Sequence, residues 1–447
     1  MSYNLLNRLR YHSFWILDAL KGGGIKSDIK DIRASFELES FDSLKEKNQN
    51  YLKELLDKAT SESDFYKPFK NYKSLDDFPV INKTIIRNNF DDIRPKTLRN
   101  EKCYFIYTSG STGTPFKICQ NERKKNRNTA DTLFFAERAG YTLGEKLLYL
   151  RLWTDRLKKS RISAALQNIV QLDICELEDK QIHNLLMKLQ KDKSPKGWLG
   201  YPSGMEKICN YLEAQNSKPL DCNINSIIGI SENLSDHVRS KMWHYFGSPM
   251  VSRYSNTENG IIAQQSIDSH YFIINWASYI VEILDFNSNE PVKNGGLGRI
   301  VITDLFNHAT PMIRYDTGDI GAIDIKPNQR FPVLCSVEGR QSDILFNTEG
   351  KMVSPFKFMS IVPEFPELKQ IQFIQTGKIH YTVKINVSGT FARENELMAL
   401  FKSYIGNNAQ VSIDYVDEIP TLISKKRKIT RNILVEKSKL ENLTFTL

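Results

Sequence analysis

The run Tyr107 to Pro115 reads Tyr-Thr-Ser-Gly-Ser-Thr-Gly-Thr-Pro. Glycines let backbone N–H groups converge on an anion without a Cβ in the way, and Ser and Thr hydroxyls add donors. The chemistry that fits is a loop wrapped around phosphate oxygens. No Gly-Lys-Ser/Thr follows at the spacing of the common P-loop. An ordinary hydroxyl-rich turn has the same composition, so the loop needs support from elsewhere.

Four further stretches carry matching chemistry. Tyr254-Ser255-Asn256-Thr257-Glu258-Asn259-Gly260 offers a ring to stack on a purine and a carboxylate to hold Mg²⁺ near phosphates. Tyr315-Asp316-Thr317-Gly318-Asp319-Ile320-Gly321 places a carboxylate beside a glycine turn, where it can accept hydrogens from ribose hydroxyls. Glu338-Gly339-Arg340-Gln341-Ser342-Asp343 is polar, lies between two differently textured regions, and suits a hinge. Ile419 to Lys428 ends in Ser424-Lys425-Lys426-Arg427-Lys428, a source of positive charge for a developing phosphorane. Taken singly, each has a plainer reading: a strand-end turn, an Asp/Gly β-turn, a linker, a solvated basic face.

The elements that must position these residues follow from periodicity. Phe14, Trp15, Leu17 and Leu20 precede Gly22-Gly23-Gly24, the mark of a helix stopped by glycine. Its apolar face is expected to pack on its own protein, and contact with a membrane surface through Arg8 and Arg10 is the alternative. Helix spacing recurs at Leu52, Leu55, Leu56 and Ala59, over Asn121 to Gly140, at Ile182, Leu185, Leu186 and Leu189, and over His237 to Phe246. Short apolar runs at Cys103 to Ile106, Leu147 to Leu152, Ser226 to Ile230 and Val251 to Tyr254 read as strands. This alternation implies an α/β core. From about Tyr271 strands dominate. After Arg340, the alternating Tyr381, Val383, Ile385 and Val387 and the helical Leu397, Leu400, Phe401 and Tyr404 define a smaller α+β unit. The expected division is a large multi-sheet body over 1–339 and a small mobile domain over 340–447.

In this order and spacing the five stretches resemble the adenylate-forming superfamily of acyl-CoA synthetases, luciferases and peptide-synthetase adenylation domains. The likeness is closer to phenylacetate-CoA ligase-like proteins, including those of capsule and surface-polysaccharide biosynthesis, and extends over nearly the whole chain. Asp77-Phe78-Pro79…Lys83 and the Trp15…Lys21-Gly22 opening also resemble that branch. The resemblance implies that Thr108, Ser109, Gly110, Ser111, Thr112 and Gly113 bind the β- and γ-phosphates of ATP. It implies Ser231 and Glu232 beside adenine, Tyr254 against its ring, Thr257 near the α-phosphate and Glu258 on Mg²⁺. Asp319 and Arg340 would hold the ribose hydroxyls, Ser342 would be the pivot, and Lys426 the adenylation lysine. Two positions depart from the family pattern: Lys425 stands where glycine usually precedes that lysine, with Lys428 near, and Ser342 stands where Asp or Lys is commoner.

The implied reaction joins a small carboxylic acid to AMP with release of pyrophosphate, then passes the acyl group to coenzyme A or, in the capsule-type branch, to an amine. Composition fits but does not choose. The 447 residues carry 61 Lys and Arg against 52 Asp and Glu, a net charge of +9. That excess favours polyanions, nucleotides or an anionic surface alike. Six scattered cysteines form no C-x-x-C pair, and they read as buried small side chains in a reducing compartment. No long apolar span or cleavable leader is evident, so a cytoplasmic protein is expected. Two rivals remain. One is a nucleic-acid binder using Glu122 to Arg127 and Lys425 to Lys428, although no recognised nucleic-acid motif accompanies these clusters. The other is a catalytically silent scaffold that keeps the nucleotide fold.

Overall fold

The computed structural model describes residues 2–99, 102–108, 116–153, 157–340, 345–353, 358, 361, 364–365, 367–387, 391–420 and 428–434. Ser109, Gly110, Ser111, Thr112, Gly113, Ser342 and Lys426 lie outside the described residues. The chain forms two compact units. One comprises 1–296, 301–317 and 322–336, and the other 297–300, 318–321 and 337–447. The boundary expected from sequence, after 339, falls inside the strand Val333–Arg340.

The first unit is built on an eleven-stranded sheet. Five strands run parallel in the order Ile169–Asp173, Lys146–Arg151, Lys196–Gly200, Ile224–Ile230, Met250–Asn256. The next, Gly260–Ser266, is antiparallel. Parallel strands joined by helices are covered on both faces, and so read as continuous apolar runs rather than alternating ones. Neighbouring residues divide between the two faces. Leu148, Trp198 and Ile227 pack with Ile182, Ile208 and Met242 from the helices Asp179–Lys191, Pro202–Ala214 and Asp236–Phe246. Tyr149, Leu199 and Ile228 enter a separate cluster on the other side with Tyr201 and Val251.

Most elements expected from periodicity are present. Strand Tyr279–Leu284 lies in the strand-rich region expected from about Tyr271, and the face carrying Leu52, Leu55, Leu56 and Ala59 is buried in helix Phe41–Glu62. Helices Gly24–Glu37 and Pro202–Ala214 have no counterpart in the sequence reading. The first helix, Ser2–Leu20, departs from expectation: it leaves most of its leucines in solvent instead of packing them. Cys103 and Cys119 also depart from the reading as separate thiols, since they face each other across a hairpin with Cα atoms 5.8 Å apart, the separation a disulfide needs. No helix among the described residues is long and apolar enough to cross a membrane.

Helix Glu122–Arg138 carries the basic cluster considered above as a nucleic-acid patch, and the structure turns two of its four cations inward while Lys125 stays exposed. Lys124 is fully buried, with Nζ 2.7 Å from Asp304 Oδ2 and 3.0 Å from the Tyr279 hydroxyl. Arg127 is fully buried too. It donates to Asp31 Oδ2 at 2.7 Å, to Ser278 Oγ at 2.8 Å and to the Ala277 carbonyl at 2.6 Å. Arg123 pairs with Glu54 at 2.6 Å. These cations tie the helix to distant segments and are not a surface stripe.

The second unit contains a four-stranded sheet in the order Gln410–Tyr415, His380–Val387, Leu368–Gln375, Thr430–Asn432. Helix Glu394–Ile405 packs on it through Leu397 and Phe401, and Phe401 stacks on Phe373 at 4.8 Å. This α+β unit matches the pattern expected from Tyr381 to Tyr404.

Removing one partner of a buried ion network leaves an uncompensated charge. Arg127→Met is therefore expected to lower unfolding free energy by about 3 kcal/mol or more, read from the urea midpoint at unchanged slope.

Candidate functional site

In a sheet that changes from parallel to antiparallel, ligands bind outside the carboxyl ends of the parallel strands. Ser231, Tyr254, Thr257 and Glu258, four of the residues expected from sequence, lie along that edge. Ile230 pairs with Arg253 in register, so Ser231 and Tyr254 are the next residues of adjacent strands. Tyr201 follows the end of Lys196–Gly200, and Asn256, Thr257 and Glu258 follow along the turn out of Met250–Asn256.

Ser231 takes a left-handed backbone, φ 66°, which a non-glycine residue rarely adopts without surrounding support. Support comes from Glu232, whose carboxylate accepts the Ser203 N–H at 2.9 Å and its hydroxyl at 3.0 Å. Ser203 lies in the first turn of helix Pro202–Ala214, where the N-terminal dipole favours a negative charge. Glu232 thereby pins the loop that carries Ser231.

Thr257 is exposed, whereas Glu258 is buried. Glu258 Oε1 lies 2.9 Å from Lys83 Nζ and accepts the Tyr315 hydroxyl at 2.8 Å. The Glu258 carbonyl accepts from Gln120 Nε2 at 2.9 Å. Gln120 ends the strand that follows the hydroxyl-glycine loop. The loop itself lies outside the described residues; Thr108 and Phe116, which flank it, are opposed in an antiparallel pair. The Tyr254 hydroxyl donates to Thr317 Oγ1 at 3.4 Å.

Lys83 reaches Glu258 because of a bridge far away in sequence. Ile81 N–H donates to the Arg314 carbonyl at 3.0 Å, and Asp316 N–H to the Ile81 carbonyl at 2.8 Å. This splices the segment before helix Lys83–Asn88 onto strand Tyr315–Asp324. Arg314, itself at φ 50°, clamps the preceding loop through the Asp76 and Phe78 carbonyls and Glu282 Oε1, the last at 2.9 Å. Sequence reasoning valued Lys83 only as part of a family resemblance. Nothing local pairs it with a carboxylate 175 positions later.

Asp319 is half-buried on the same strand as Tyr315, one residue beyond Gly318, whose φ of 79° permits the local bend. Arg340 ends the strand Val333–Arg340. Lys428 precedes Thr430–Asn432, and its carbonyl accepts from Gln372 Nε2 at 2.8 Å. Of the aromatic residues on strand Lys196–Gly200 and just beyond it, Trp198 is core against Phe246. Tyr201 lies on the opposite face, and burial raises its hydroxyl pKa. Arg253 was missed. It is buried, burial lowers its pKa to about 10, and its Nε donates to Gln264 Oε1 at 2.8 Å while Nη2 has no hydrogen-bond partner among the described residues.

Among the described residues no group of three or more His, Cys, Asp or Glu gathers for a metal. A lone buried carboxylate with a cation already on it still suits Mg²⁺. In phosphate sites that ion takes one or two carboxylates and completes its shell with phosphate and water.

The chain is similar to known proteins in both sequence and fold. A profile of the CapK C-terminal domain matches residues 345–432. CapK of Staphylococcus aureus is 22% identical over 374 residues, covering 80% of each chain. A phenylacetate-coenzyme A ligase of Pseudomonas putida is 24% identical over 247 residues, 51% of this chain and 55% of that one. These similarities support kinship with the adenylate-forming superfamily. The fold agrees: 2-hydroxyisobutyryl-CoA ligase, solved in the postadenylation state with an acyl-AMP, superposes with a TM-score of 0.67 at 15% identity, over 89% of this chain and 91% of that one.

Tyr315→Phe removes one donor to a buried carboxylate and is expected to cost about 1–2 kcal/mol. Lys83→Met removes the facing charge and should cost at least as much. Chemical denaturation of both variants checks the order, and equal, negligible effects would mean that Glu258 is not held as described.

Proposed function

We propose that this protein activates a carboxylic acid with ATP, forming an acyl-adenylate and pyrophosphate, and then transfers the acyl group to an acceptor. The observation that carries the reading is the buried Glu258 carboxylate, held beside an ammonium at the carboxyl edge of the parallel strands. It is a fixed negative charge at the place where a nucleotide's counter-ion belongs. The kinship with ligases that make acyl-CoA supports the same reading.

The barrier is electrostatic, because a carboxylate must approach a polyphosphate. Bound Mg²⁺ on Glu258 would supply charge neutralisation at the phosphates. The chain's part is positioning and charge, with no protein nucleophile required. Tyr254 offers a ring face for adenine, and Thr257 a hydroxyl at the open edge. The loop Ser109 to Gly113 supplies N–H and hydroxyl donors for the outer phosphates. Asp319 and Arg340 bind the ribose hydroxyls. Lys426 brings an ammonium to the bridging oxygen as charge builds there. Ser342 is the pivot about which the small domain withdraws Lys426 before acyl transfer. Coenzyme A is the acceptor we favour, since the ligase relatives are named for it. An amine acceptor in surface-polysaccharide assembly is the second reading, implied by the resemblance to the capsule-type branch.

Acid-dependent ATP–pyrophosphate exchange, screened over aryl, fatty, hydroxy, amino and sugar acids, tests the first half-reaction. Silence across the panel would refute it, and would point to a nucleotide-binding scaffold. Glu258→Gln is expected to slow exchange by about 10²-fold or more. Lys426→Ala should abolish exchange yet spare acyl transfer from a supplied acyl-adenylate. Full exchange by that variant would move the role to Lys425 or Lys428.

A further inference from the structure

Helix Ser2–Leu20 holds the protein with one face only. Its Asp18 is buried, and the Asp18 carboxylate accepts the Ile25 and Lys26 N–H groups at 3.1 and 3.0 Å, at the start of the next helix. Trp15 packs with Ile29 and Phe134. The Asn7 carbonyl lies against Gly144 so closely that no Cβ fits there. At about 100° per residue these three contacts share one arc.

The opposite arc carries Leu5, Leu9, Ile16 and Leu20, with Leu6 and Leu17 beside them. All six are exposed, Leu20 to 78%. No other element of the described chain exposes as many large apolar side chains. The stripe has basic margins: Arg8 and His12 along one edge, Arg10 and Lys21 along the other. The only acid from residue 2 to 21 is Asp18, and it faces inward.

A second segment repeats the pattern. Helix Arg161–Leu166 exposes Ile162 to 75% and Leu166 to 72%, beside Lys158, Lys159 and Arg161. Just past its end, Asn168 Nδ2 donates to the Gly144 carbonyl at 3.1 Å. Both apolar patches are therefore anchored to the one loop, through Asn7 and through Asn168.

We propose that this face docks on an anionic lipid membrane, with helix Ser2–Leu20 lying in the headgroup plane. Leucines enter the acyl boundary while arginines and lysines snorkel to the phosphates on either side. A second copy of the chain fits the surface poorly. Pairing two such stripes would bring cationic margins together with no carboxylate between them. The lipid surface supplies the missing negative charge.

The test uses the full chain in flotation with vesicles of phosphatidylcholine alone and vesicles containing about a third phosphatidylglycerol. Binding is expected to the anionic vesicles and to weaken as salt rises. The L9S/I16S/L20S variant should lose about tenfold or more in binding with an unchanged thermal midpoint, since those side chains pack on nothing. R8Q/R10Q should lose the preference for anionic lipid. The proposal is overturned if the protein fails to float at low salt, or if neither variant changes flotation. It is also overturned if sedimentation shows a dimer that the leucine variant dissolves without any lipid binding.

Discussion

Glu258 gives up its hydration to sit at the end of strand Met250–Asn256, and the surrounding structure answers that cost with a cation and a phenol. A buried carboxylate without partners would protonate or unfold its surroundings. The partners come from segments around residues 83 and 315, so three remote parts of the chain must converge on one oxygen. The main-chain bridge from Ile81 to the Arg314–Asp316 backbone brings two of them into line before either side chain reaches Glu258. Gln120 adds a fourth segment through the Glu258 carbonyl.

The same constraint explains why cations are spent inside this protein. Lys124, Arg127 and Arg314 are buried and paired, and each links an N-terminal helix or loop to the strand-rich part of the first unit. Such pairs add less net stability than their Coulomb energy implies, but they penalise every arrangement that separates them. A site assembled from loops at a sheet edge benefits from that specificity. Its residues need placement more than they need burial of apolar area.

Charge at the surface follows a different logic. The net excess of Lys and Arg does not form a continuous basic stripe on helix Glu122–Arg138, where Lys124 and Arg127 turn inward. Outward-facing basic residues instead flank the bare leucines of the first helix, where hydrophobic burial and charge attraction can act on one partner. The proposed chemistry at the sheet edge and the proposed attachment through the first helix draw on different elements of the fold.

The α/β alternation, the small C-terminal unit and the Tyr254–Glu258 and Tyr315–Asp319 stretches were legible in the sequence. Periodicity and turn chemistry are local, and glycine, hydroxyl and carboxylate residues keep their character wherever the chain runs. The Lys83 pairing, the inward turn of Lys124 and Arg127, and the exposed face of the first helix belong to tertiary structure alone. A lysine reads the same whether it meets water or a carboxylate brought from 175 positions away. A leucine stripe reads the same whether a neighbour covers it or none does. Local pattern determined which elements form and which chemistry they carry; packing decided which charges are paired, and which apolar face is left for something else.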